Sequence, residues 1–568
     1  MRYRLSVILA LLVLVPAVGC APPPRAGDER AGPAQSGSPP VARTLNLGVR
    51  YELGDLASKV RSGITADATK RLFNAALAII DGSGTARPYL AEALPQVNSE
   101  SWRVFPDGRM ETTYRLRPNL TWHDGQPISA EDFVFALRVY TAGLGRFEPT
   151  PQDRFEEVSA PDERTVFIRW RTLYPEAGAL RSTHFEPLPR HILQRDFEED
   201  SGDSFINHAY WSREFVGAGP YRLERWEPGS HLDAVAFDGH ALGRPKIDRI
   251  IVRFFGDENT ALTNLLSENV HIAMDNSLRF EHASVLKREW GPGNKGVVLL
   301  DPVQPRFTNV QLRPEYANPR AVMDLRVRRA LSHAVDKQAI NDALFDGEIP
   351  LADQFLPRTV AYFAELDRAI TRYPYDFRQT DQLMSEAGFR KGGDGAYASA
   401  SGERFSFEHW VIAGSQNEKQ GAVMAEGWRR AGFEVKEHAI PTAQATDGQV
   451  RATFPALSSV ATGGGEANLN FLTTSQIPSP ANRWTGNNRG GWVSLEYDRL
   501  WDVFNTTLDR TERNRQAIEM MRLATEDVAM LFLFHSANVT AHLNALRGPE
   551  LGTPDTLTNW NLHEWELR

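Results

Sequence analysis

Cysteine is nearly missing from this chain of 568 residues: there is one, Cys20. A single thiol closes no intramolecular disulfide and makes no Cys-pair metal site. Several catalytic signatures are missing too. The chain has no G-x-S-x-G, no H-E-x-x-H and no C-x-x-C, and His563-Glu564 lacks a second histidine. Glycines crowd Gly217–Gly229, yet no Walker lysine follows and no G-x-G-x-x-G opens a helix. The 14 histidines stand singly, which speaks against a dedicated nickel or zinc site. Positive charge is in deficit, with a formal net charge of −9, where nucleic-acid binding needs clustered cations. No internal apolar run is long enough for a membrane span. Neither an enzyme nor a cofactor is expected.

What remains is a hydrophobic fraction of 42% with 24% charged residues, ordinary for a soluble globular protein, in a chain long enough for two to four domains. The N-terminus is different. Arg2 and Arg4, then an apolar run from Leu5 to Val15, read as a secretory leader over residues 1–19. Gly19-Cys20 resembles the bacterial lipobox, so Cys20 is the expected lipidation site and the membrane anchor of an extracytoplasmic protein. Losing Arg2 and Arg4 takes the formal charge to −11. Residues 20–43 hold Pro, Ala, Gly and Ser but no aromatic residue, too little apolar surface to offset ordering entropy. As a flexible tether they would reach about 25–30 Å.

The most informative stretch runs from Tyr114 to Tyr140. An alternating strand stops at Pro118-Asn119, a turn follows at Trp122-His123-Asp124-Gly125, and Ser129 with Asp132 approximates a capping box. Phe133, Ala136, Leu137 and Tyr140 then give a helix one apolar face. His123 beside Asp124 is read as turn structure, because neighbours on a turn rarely converge on one substrate atom. Leu116-Arg117, Trp122-His123-Asp124-Gly125, Pro127 and Ala130-Glu131-Asp132-Phe133 together resemble the signature of extracellular family 5 of the ABC-importer solute-binding proteins, which includes the oligopeptide and dipeptide binders.

Other segments match that family in order. They include Arg87-Pro88-Tyr89-Leu90-Ala91-Glu92, Gly217-Ala218-Gly219-Pro220-Tyr221, the helix from Asp324 through Asp336, and Arg429-Arg430-Ala431-Gly432-Phe433. Apolar spacing also predicts a strand at Leu45–Val49, a helix over Ala66–Ile80, hairpins about Pro106-Asp107-Gly108 and Pro161-Asp162-Glu163, and a strand over Asp248–Phe255. The alternation indicates mixed α/β domains. The resemblance implies a two-lobed, periplasmic-binding-protein-like hinge fold with an inserted peripheral domain. The first lobe is placed at 44–86, 217–300 and 536–568, the peripheral domain at 87–216 and the second lobe at 301–535, with crossovers near residues 217 and 301.

It further implies a peptide or other small polar solute as ligand, an ABC permease as partner, and a monomer. A surface lipoprotein used in sensing, adhesion or chaperoning is the alternative. Candidate ligand contacts are Tyr51 and Glu52 after the first strand, Arg306, Phe307 and Asn309 after the second crossover, and Trp410 before a turn. Glu466, Arg483, Trp484 and Trp492 stand in or close a loop-rich insert, where indoles offer a rigid face and one donor. Peptide binders of the family carry an aspartate there for the ligand ammonium. Between Leu457 and Trp484 the only acid here is Glu466, so either it substitutes or the ligand has no free amine at that point.

Overall fold

The computed structural model describes residues 43–60, 67–145, 147, 150–199, 202–553 and 556–568. The leader, Cys20 and the tether up to residue 42 lie outside them. Ala42–Arg568 forms one compact unit.

Its backbone is a ten-stranded sheet whose order departs from chain order. In the first half, Thr44–Val49 lies between two parallel neighbours, Arg249–Phe254 and Ile272–Ala273. In the second half, Ser406–Ile412 lies between parallel Glu434–Ile440 and Leu457–Ala461. Two long antiparallel strands, Gly296–Val310 and Met530–Leu543, join the halves. Their register is interrupted between Asp301 and Gln304, where Pro302 removes a ladder donor. The two ends of this pair belong to different cores. Val539, Ala541 and Leu543 pack with Leu265 and Trp290, whereas Leu531, Leu533 and Phe534 pack with Val327, Leu331 and Trp428. Interruption of the ladder between separate cores is what a hinge needs.

One expectation is corrected here. The second strand that crosses between halves is Met530–Leu543, not the segment near residue 217. That segment returns the chain from the peripheral part to the first half, and its glycines explain why. Gly219 N–H donates to Phe73 O at 2.9 Å and Tyr221 N–H to Leu72 O at 2.9 Å. A Cβ on Gly217 would overlap the Phe73 carbonyl oxygen. Gly217→Ala is therefore expected to cost about 1–3 kcal/mol by overpacking, read as a lower urea midpoint at unchanged m-value.

The same contacts shorten a helix. Only Asp67–Lys70 is helical where Ala66–Ile80 was expected, and Ala78–Ile80 is a strand. The carbonyls of Leu72 and Phe73 are taken by the crossing chain, and Asn74 Nδ2 bonds Leu56 O at 2.6 Å. Tertiary partners outcompete the local apolar period.

The peripheral part is a four-stranded antiparallel sheet built from Trp102–Val104, Met110–Arg115, Phe155–Asp162 and Thr165–Trp170, with both expected hairpins. Helix Glu131–Tyr140 covers it with Phe133, Ala136 and Tyr140 buried. Ala130, not Ser129, is the N-cap residue, but Ser129 N–H still donates to Asp132 Oδ2 at 2.9 Å, one half of the expected box. His123 is a brace. Gly217 N–H donates to its Nδ1 at 3.2 Å, Nε2–H faces Gly219 O at 3.1 Å, and burial pushes its pKa down to about 4. Among the described residues no helix is long and apolar enough to cross a membrane.

Candidate functional site

Register fixes where a ligand can be gripped. Ile272 and Ala273 pair with His542 and Ala541, so the first-half parallel strands run toward the middle of the crossover pair. Ala461 pairs with Arg306, so the second-half strands run toward the same middle from the opposite side. The carboxyl ends of both parallel sets thus meet at Asp301–Arg306. In open α/β sheets ligands bind outside such ends.

The first-half ends deliver Arg50, Tyr51 and the loop from Met274 to Arg279. The second-half ends deliver Ala413–Asn417 and Thr462–Glu466. Arg306 is 8% exposed, and its Nη2 donates to Asn417 Oδ1 at 2.8 Å. Burial, then the neighbouring Arg279 guanidinium, pull its pKa down to about 10. Arg50 and Arg279 both contact the Glu258 carboxylate, Arg279 Nε at 3.1 Å. Burial alone pushes the Asp301 carboxyl up to about 7.

Of the candidate contacts, Tyr51 and Arg306 stand on this line. Tyr51 is exposed and lies under the Arg50 guanidinium at 5.1 Å. Others have structural work instead. Glu52 accepts from Trp226 Nε1 and Gly229 N–H, each at 2.8 Å, and so pins a turn of the first half. Phe307 is buried against Phe355 at 5.8 Å, and Asn309 is buried beside Ser458. Trp492 is 3% exposed, with Nε1 donating to Asp527 Oδ2 at 2.9 Å, which makes it core rather than cleft wall. Trp410 is half-buried, stacked on His438 at 4.3 Å and bonded to Glu408. Arg483 is exposed and Trp484 half-buried, both in the left-handed region at φ 54° and 62°.

Glu466 is engaged within the second half. Its carboxylate accepts from Arg510 Nη1 at 2.9 Å, Arg510 Nη2 at 2.6 Å and Tyr362 Oη at 2.9 Å. Its charge is thus already balanced within the second half by Arg510. Arg279, Arg50 and Asn417 also stand on this line, and the sequence reading did not name them. Their meeting depends on the non-sequential strand order, and no local pattern announces it.

Two cavities differ in how they relate to this line. One of about 360 Å³ is lined from both halves, by Phe280, Ser284 and Arg288 on one side and Phe345, Asp346 and Lys419 on the other. Another of about 240 Å³ is lined by Asp67, Arg71, Tyr89, Arg181 and Trp560, without any candidate contact.

The sequence model of bacterial extracellular solute-binding proteins, family 5 (middle region), matches residues 94–482. This chain belongs to that family. The family 5 proteins bind solutes for ABC importers and are not catalysts, in keeping with the reading from absent motifs. A Brucella ovis protein whose name assigns it provisionally to ABC-transporter peptide binding is 25% identical over 300 residues. That match covers 52% of this chain, which spans about half (52%) of that relative's length. The oligopeptide-binding protein AppA of Bacillus subtilis is 20% identical over 493 residues, covering 81% of each chain. Among solved structures, NikZ from Campylobacter jejuni in complex with Ni(L-His) superposes with a TM-score of 0.73 at 21% identity, covering 92% of this chain and 99% of NikZ. Bacillus subtilis AppA with a nonapeptide gives 0.69 at 18% identity, covering 92% and 99%. The family 5 chain therefore has the two-lobed binding fold.

Proposed function

We propose that this family 5 protein is the extracytoplasmic, lipid-anchored binding component of an ABC importer, and that it takes a peptide or other small polar solute between its lobes and hands it to the permease. The observation that carries this reading is the meeting of two opposed sets of strand ends at an interrupted crossover pair. That geometry offers two walls and a hinge, and closure needs only a solute that prefers the closed state. Peptide is the favoured solute because the Brucella and Bacillus relatives are named for peptide binding.

The lobes are assigned as 44–86, 217–300 and 536–568 against 301–535, with 87–216 inserted. Tyr51 and Arg306 face the solute, and Trp410, Arg483 and Trp484 supply second-lobe surface. Cys20 carries the lipid, and the chain works as a monomer. Purification of the full chain from solubilised membranes is the test. Co-purification of a permease with its ATPase is expected. Recovery of solute-loaded protein without any transporter would instead favour a surface receptor.

A further inference from the structure

The second half also touches the peripheral part directly. Arg154, which leads into strand Phe155–Asp162, donates from Nη1 to Asn505 O at 3.1 Å across 351 residues of chain. Asn505 is the C-cap of helix Leu495–Phe504. A guanidinium there satisfies an end carbonyl and complements the negative end of the helix dipole. The same guanidinium lies over the Tyr174 ring at 5.2 Å, which steadies it. Three residues beyond Asn505, Leu508 packs against the apolar core that the first half and the peripheral part share. Among the described residues it is the one apolar side chain of 301–535 to do so. Its neighbours Phe504 and Ala517 stay in a core of the second half.

Charge follows the same line. Arg510 binds the Glu466 carboxylate through both Nη atoms, and Arg513 Nη2 stands 3.6 Å from it. Arg513 also lies over Phe504 at 4.4 Å, the last residue of the helix whose end Arg154 meets. Two guanidinium groups against one carboxylate leave this side positive. The acid facing it is Glu176 of the peripheral part, whose field reaches both Arg510 and Arg513. Glu176 is held in turn by His184 Nε2 at 3.4 Å and Arg181 Nη2 at 3.9 Å. A hydrogen bond, an apolar contact and a charge pairing thus fall together between residues 154–184 and 504–513. The peripheral part shares its core with the first half, whereas the second half has cores of its own. These contacts therefore span the boundary that moves when the lobes part.

We infer that Arg154, Glu176 and Leu508 form a clasp which the protein fastens with its own groups, so that a solute completes a closure the chain has already begun. This rests on the interlobe binding proposed above. Every partner in the clasp belongs to the chain, so it favours the closed state by the same amount whichever solute is held. Apparent affinity scales with the fraction of molecules in the binding-competent state. Loosening the clasp therefore weakens the binding of all solutes by one common factor and leaves their order of preference unchanged. Arg154 and Leu508 act as positioning residues.

The test uses the full chain, with small-angle scattering of the solute-free protein and calorimetry against two probes, a tripeptide pool and a pentapeptide pool. The variants are Arg154→Gln, Leu508→Ser and, as the conservative rescue, Arg154→Lys. Solute-free R154Q and L508S are expected to have a larger radius of gyration than the solute-free parent. Both pools should bind R154Q about tenfold more weakly, the size of one charge-assisted bond, with the ratio between the pools unchanged. R154K should regain part of the affinity and of the compactness. Should L508S not fold, R154Q at a half-buried side chain carries the same expectation. Parental radii in both variants overturn the clasp, whatever the affinities, and leave the binding reading standing. A changed ratio between the pools places Arg154 at the solute and overturns it too. Larger solute-free radii with no binding of either pool uphold the clasp and remove the peptide reading.

Discussion

Acidification from about pH 6 to about pH 5 is expected to remove about 2–3 kcal/mol of stability. The cause is a set of histidines folded away from water. Burial pushes His123, His535 and His563 down to about 4, and His240 and His409 down to about 3. Above about pH 6.5 these residues are neutral in both states and contribute nothing. Below it the unfolded chain takes up their protons and the native chain does not, so stability falls as pH falls toward the folded values. Buried acids act the other way, Asp67 and Asp132 among them. Burial raises Glu186 and Asp301 to about 7 and Asp275 to about 6. Their native forms hold protons that the unfolded chain has released, which favours folding as pH falls through that window. Near pH 7 the two sets nearly cancel, and between about pH 6 and about pH 5 these five groups against these three leave about two protons net, or about 2.7 kcal/mol per pH unit. Urea midpoints measured between pH 7 and pH 5 check this. A flat profile, or a rise on acidification, would contradict it.

Replacing Arg313 by alanine is expected to cost about 3–5 kcal/mol and to loosen the second-lobe loops together. This guanidinium is buried and donates to Pro478 O at 3.1 Å, Arg489 O at 3.0 Å and Ala452 O, while Nε reaches Gln311 Oε1 at 3.1 Å. It gathers three separate segments, the end of helix Gly448–Ala452 and the two stretches that flank Arg483 and Trp484. Truncation would leave several carbonyls without a donor in a dry setting. Hydrogen exchange around residues 478–491 should accelerate well beyond the rest of the second lobe, alongside a lower unfolding midpoint. Unchanged protection there would show that the loops hold one another without Arg313.

Much of the fold is legible from short-range pattern. The strand at Thr44–Val49 and the two peripheral hairpins follow from alternation and turn residues. The helix Leu325–His333 lies in the segment from Asp324 that resembled the family, and the Asp324 side chain accepts the Arg326 amide at 2.8 Å. Where a distant segment takes over the backbone partners, pattern fails. Leu72 and Phe73 give up their helical carbonyls to residues 219–221, and nothing near residue 72 says so. The site was legible in outline only. Tyr51 follows a strand end and Arg306 lies within the crossover strand Gly296–Val310, and both stand on the meeting line, but Trp492 looks like a cleft indole until Asp527 is brought beside it. Glu466 likewise looked like a spare acid, because Arg510 stands 44 residues further along.

The crossover pair and the two opposed walls have one shared consequence: the molecule should become more compact when it holds a guest. Small-angle scattering of the full chain, with and without a pool of short peptides, measures this directly. A smaller radius of gyration together with a retained bound species in native mass spectrometry is the predicted result. An unchanged radius with no retained species would contradict the account at its root.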